Sequence, residues 1–124
     1  MPLNRKHANA FMAVAFLGFA AVQLNDPDPI LWIGIYVLAA AISAAAIIER
    51  VIAPLAGMLA FGSASGAVVL AEKVVGIQAV FSSEEGREMM GLGLVAIWIG
   101  GIFLRELNRV SRETAEIQDA GDAD

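Results

Sequence analysis

Four apolar runs, residues 8–24, 30–48, 55–71 and 89–104, constrain this chain more than any other feature. Crossing a bilayer takes about 17–25 apolar residues at about 1.5 Å of rise each. The second run meets that length outright. The first and third just reach it, and the fourth falls slightly short. Arg105, at the end of the fourth run, can snorkel to make up the difference. None of the runs alternates apolar and polar residues as a membrane barrel strand does. A water-soluble bundle would need a polar face on each helix, yet residues 33–48 offer only Tyr36 and Ser43. Hydrophobic residues make up 58% of the chain, above the roughly 45–50% of a soluble domain. The sequence therefore predicts an all-α polytopic membrane protein, with four transmembrane helices in two hairpins.

Composition narrows the chemistry. There is no cysteine, which excludes disulfides and thiolate sites. The net charge of −5 does not suit nucleic acid. The single histidine, His7, falls in the polar N-terminal tail and reads as solvated. No cofactor is expected. Arg5 and Lys6 precede the first run, and Gly18-Phe19-Ala20 resembles a small-x-small cleavage site. Cleavage there would leave an odd number of spans, so the first run reads as a retained helix.

Orientation follows from the basic residues beside the spans. Arg5, Lys6, Arg50, Arg105, Arg109 and Arg112 flank one side, against Lys73 and Arg87 on the other. Both termini are therefore expected in the cytoplasm, as for a protein of the bacterial inner membrane. Residues 1–7 are expected to form a cytoplasmic tail, 8–104 the membrane domain, and 105–124 a juxtamembrane helix with a disordered acidic tail from residue 119. Arg109 with Glu113 and Arg112 with Glu116 have i,i+4 spacing, and the arginines suit anionic headgroups. Gly62 with Gly66, Ala39 with Ser43, and Ala96 with Gly100 form small-xxx-small pairs. Such pairs allow close helix approach within the bundle, in a homo-oligomer, or against a membrane partner.

Two polar corners fall on the outer side. The first turn reads Gln23-Leu24-Asn25-Asp26-Pro27-Asp28-Pro29. Asp28 before Pro29 is a good helix N-cap, with proline at the first helical position. Pro27 ends the preceding helix by itself, so Asp26 needs no carboxylate for that purpose. Asn25 could cap the first helix in a left-handed conformation. Trp32 and Tyr36 follow on one face; Trp32 suits the interface. Tyr36 sits about 10 Å below the turn, where its hydroxyl needs a partner. The other corner opens the last helix. Ser82 and Glu85 fit a capping box, and acidic residues suit a first turn. These roles do not require all of Glu84, Glu85 and Glu88, nor Arg87 among them. Glu88 lines up with Gly91, Val95 and Trp98. The Trp98 indole lies near mid-membrane, and packing alone is its plainer role.

The string Gln23-x-Asn25-Asp26-Pro27-Asp28-Pro29-x-x-Trp32-x-x-x-Tyr36, with Arg87-Glu88 and Gly91-Leu92, resembles the transmembrane protein 220 family. The resemblance covers residues 10 to 105. It implies a small four-helix integral membrane protein, in a family with bacterial and eukaryotic members, and it implies no assigned activity.

Four functional classes follow. In the first, the outer corner binds a cation or a small polar ligand. Asp26, Asp28 and Glu88 are the candidate metal ligands, with Gln23, Asn25, Glu85, Trp32 and Tyr36 around them. Hard cations take six to eight oxygens. Arg87 instead favours an anionic or zwitterionic ligand. The plainer alternative is that Arg87 pairs with Asp26 or Asp28 and staples the two hairpins. In the second class, small-residue faces make the chain an accessory subunit of a larger complex. A small transporter is disfavoured, because no carboxylate lies inside an apolar run. An enzyme is disfavoured because the corner has no histidine or cysteine.

Overall fold

A computed structural model describes residues 2–25, 29–72 and 84–122, with side-chain surroundings for 5–25, 29–72 and 84–121. The chain forms α1 (Pro2–Val22), a 3₁₀ turn (Gln23–Asn25), α2 (Pro29–Ile47), α3 (Ala53–Ala71) and α4 (Glu84–Asp122). All four α-helices are long and apolar enough to cross a membrane. No strand occurs among the described residues. A helix of 19 residues, such as α2 or α3, spans about 28 Å, close to the thickness of a bilayer core. The helix α4 has 39 residues. It continues without a break past the apolar run and stays helical to Asp122, so residues 119–122 are helix where the sequence suggested a disordered tail.

The surface is inverted relative to a water-soluble protein. Ile30 is 83% exposed, Phe61 77%, and Ile97 76%. Large apolar side chains exposed on all four helices would be untenable in water, and they match lipid. The interior is small by comparison. Phe16, Tyr36, Ala39, Ala56, Val95 and Ile99 form the buried core, with Trp32, Leu59 and Trp98 packed against it.

The helices pack in pairs, α1 on α2 and α3 on α4, and the pairs meet chiefly through α2 and α4. Small residues make these approaches possible. Ala39 and Ser43 are both fully buried, and the Ser43 hydroxyl donates back to the Ala39 carbonyl at 2.9 Å. Between α3 and α4, Phe103 fills the space over Gly57, Leu92 fills that over Gly66, and Ala60 packs near Gly100. Gly62, by contrast, faces open space. Most of the small-residue spacing is thus used inside the chain.

The turn from α2 to α3 closes with paired backbone bonds. Arg50 N–H donates to the Ala45 carbonyl at 3.0 Å and Glu49 N–H to Ala46 at 3.3 Å. This is the Schellman arrangement, which puts one residue in the left-handed region. That residue is Glu49, with φ 56°. Asn25, expected to be left-handed, has no positive φ and lies in the 3₁₀ turn. Tightening the last turn of α1 to i,i+3 bonding closes the helix without a left-handed cap. Next, Ile52 leads into α3 from an extended conformation, with Pro54 in the first turn, where a missing N–H costs nothing.

Candidate functional site

The first polar corner is organised by Tyr36. Its ring is buried and meets two α1 aromatics, stacking on Phe16 at 6.4 Å and meeting Phe19 edge-on at 5.6 Å. The other end of the side chain reaches α4. Its hydroxyl occupies the place where a Cβ on residue 91 would stand, so only glycine fits there. Tyr36 therefore ties the α1–α2 pair to the α3–α4 pair. Glu88 stands one turn before Gly91, half-buried, and so lies one helical turn from the place that the Tyr36 hydroxyl occupies.

The structure thus brings Tyr36 and Glu88 together. Trp32, one turn above Tyr36, is half-buried and packs against the core. Gln23 is half-buried on the 3₁₀ turn, and Asn25 beside it is exposed. Glu85 and Arg87 are exposed on the first turns of α4, and Arg87 and Glu88 each engage a neighbour. Glu84 and Glu85 fall in the first turn of α4, where their charge favours the helix dipole. Asp26 and Asp28 lie outside the described residues, as does Ser82 of the expected capping box. Among the described residues no three histidine, cysteine or acidic side chains gather closely enough to hold a metal ion.

The opposite end of the bundle carries a second feature, which the sequence alone does not show. A cleft of about 570 Å³ opens between the start of α1, the α2–α3 turn and the second half of α4. Arg5, Asn9, Glu49, Arg105 and Arg109 are among its lining. The beginning of α1 and the far part of α4 therefore lie at the same end. Arg109 is fixed by a two-pronged bond to Glu106, Nε to Oε2 at 3.2 Å and Nη2 to Oε1 at 2.5 Å. Its Nη1 donates to Glu113 at 2.7 Å. The expected Arg109–Glu113 pair is present. Arg112 and Glu116 do not come within ion-pair distance, while the i,i+3 pair of Glu106 with Arg109 was not anticipated. Asn9 is only 2% exposed, and its Oδ1 has no partner among the described residues. His7 is exposed, but on the second turn of α1 and not in a separate tail.

Two further polar atoms are buried without a partner among the described residues, Ser63 Oγ and Trp98 Nε1. The Trp98 ring packs against the core, so its contribution is packing.

Four apolar helices, an apolar outer surface and charged side chains kept outside the apolar runs define a small polytopic integral membrane protein. The family model described as Transmembrane family 220, helix, matches residues 15–104, and the chain belongs to that family. No curated protein and no solved structure matches the chain.

Proposed function

We propose that the corner formed by the Asn25–Pro29 turn and the start of α4 binds a cation or a small polar ligand on the extracytoplasmic face. The observation that carries this reading is the position of Glu88. It is half-buried near the start of α4, one turn before the glycine that the Tyr36 hydroxyl lies against. Asp26 and Asp28 bring two more carboxylates to the turn next to α2 in sequence. Gln23, Asn25 and Glu85 add oxygen donors, and Arg87 suits the anionic half of a zwitterion. Trp32 and Tyr36 form the apolar wall.

The test pairs a binding readout with a folding readout. The purified protein is melted in mild detergent with and without Ca²⁺, Mg²⁺ or glycine betaine. A ligand at 100 times its Kd adds about 2.7 kcal/mol of stability. The expected result is an upward shift with one of these probes, lost in Asp26→Asn and Glu88→Gln, whose unliganded melts match the parent. In a deletion strain, both variants should fail to restore growth. Full complementation by the double variant would make this corner scaffolding. The accessory-subunit reading would then take first place.

A further inference from the structure

We infer that the cleft at the other end of the bundle holds the headgroup of one membrane phospholipid, with its phosphodiester between Arg5 and Arg105. The cleft of about 570 Å³ falls in the range of about 300–1,000 Å³ that suits a small ligand. Arg5 comes from α1 and Arg105 from α4, and both line the cleft; burial, and then the charge of Arg5, hold the Arg105 guanidinium below its ordinary pKa. No carboxylate lies within ion-pair distance of either among the described residues. Two guanidinium groups held together in this way are stabilised by an anion between them, and guanidinium forks match phosphate oxygens. Arg109 does not compete for that anion, because Glu106 and Glu113 already occupy it.

Asn9 supplies an independent sign. It lines the cleft, is only 2% exposed, and keeps an amide oxygen without a partner among the described residues. Buried polar atoms are ordinarily satisfied. A headgroup ammonium or hydroxyl beside the phosphate provides the missing donor.

Charge and polarity set the class of ligand. Four arginines and four glutamates line the cleft, so the lining is neutral overall and suits a monoanion or a zwitterion rather than a polyphosphate. Val51 and Ile102 give it an apolar side, which a soluble phosphate ester would leave uncovered. The cleft also lies where α4 passes from its apolar run into charged sequence, at the depth of lipid headgroups.

Native mass spectrometry of the delipidated full chain tests this. Phosphatidylethanolamine, phosphatidylglycerol, diacylglycerol, glycerophosphoethanolamine and inorganic phosphate are offered separately. One phospholipid adduct per chain is expected, with no adduct from diacylglycerol or the soluble phosphates. Arg5→Gln with Arg105→Gln should lower the bound fraction at least tenfold. Arg50→Gln, an exposed arginine outside the lining, should leave it unchanged. Arg5→Glu guards against a folding artefact. It replaces the repelling pair with an ion pair, so it should raise the melting temperature while abolishing the adduct. Undiminished lipid binding in Arg5→Glu would overturn the site. Equal retention of diacylglycerol would overturn the role of the phosphate, and equal binding of glycerophosphoethanolamine or inorganic phosphate would overturn the lipid source.

Discussion

The Tyr36 hydroxyl lies against the backbone of Gly91, where a Cβ on residue 91 would collide with it and lie 3.1 Å from the ring carbon that bears it. Phe16 and Phe19 bracket the same ring from α1. The ring is held between α1 and α4, and α2 and α4 meet so closely there that residue 91 has no space for a Cβ.

Gly91→Ala should therefore destabilise the bundle by about 1–3 kcal/mol, the usual cost of overpacking. Removing the hydroxyl relieves most of the clash. In a Tyr36→Phe background the same substitution should cost less than half as much. Thermal melts of the four proteins in one detergent give the coupling. Strictly additive effects would mean that the two residues do not meet.

Glu49 holds a left-handed conformation, φ 56°, at the end of α2. A non-glycine residue is disfavoured there by about 1–2 kcal/mol, and glycine removes that penalty at some cost in chain entropy. Glu49→Gly should raise stability by about 0.5–1 kcal/mol. Glu49→Ala keeps the Cβ and should not. A glycine variant no more stable than the alanine one would rule out the strain, whereas one more stable than alanine yet below the parent would show that Glu49 offsets its strain through contacts at the cleft.

Ser63 is 3% exposed, with a hydroxyl that has no partner among the described residues. Leaving a buried hydroxyl unpaired costs about 1–3 kcal/mol. Ser63→Ala removes the oxygen with almost no change of shape, so its melting temperature should equal or exceed that of the parent. Ser43→Ala should not gain, because its hydroxyl already donates to Ala39. A clear loss in Ser63→Ala would place an unseen donor or acceptor beside that oxygen.

What could be read from the sequence was whatever lipid dictates directly. A run such as residues 33–48 has too few polar side chains for any setting but a membrane, and it forms α2. Local helix chemistry was also legible, as Arg109 with Glu113 shows. The contact of Tyr36 with Gly91 was not. Helical spacing puts Tyr36 and Gly91 on faces of their own helices, but it does not set how two hairpins dock. The cleft escaped for a different reason. Asn9 sits inside an apolar run and Glu106 inside a charged helix, and each looks ordinary alone. The usable signal was a register: Arg5 and Asn9 are four apart, and Ile102, Glu106, Arg109 and Glu113 recur at helical spacing on one face of α4. The left-handed site shifted from Asn25 to Glu49 because a 3₁₀ turn closes α1, whereas the short link to α3 needs a sharper reversal.

The final prediction concerns which way the bundle faces. Arg5 on α1 and Arg112 on α4 line one cleft, so the two chain termini lead from the same end. Of the 8 lysines and arginines in the chain, six flank that end and the α2–α3 turn, leaving Lys73 and Arg87 for the other. Basic residues beside the spans are retained on the cytoplasmic side. A fluorescent protein fused after Asp124 should therefore fluoresce in a bacterial host, and alkaline phosphatase fused there should stay inactive. Phosphatase inserted after Gly76, between α3 and α4, should be active. The reverse pattern would put the Tyr36–Glu88 corner in the cytoplasm and remove the extracytoplasmic site. It would leave the Tyr36–Gly91 packing and the Arg5–Arg105 cleft untouched, because neither depends on which face of the membrane it occupies.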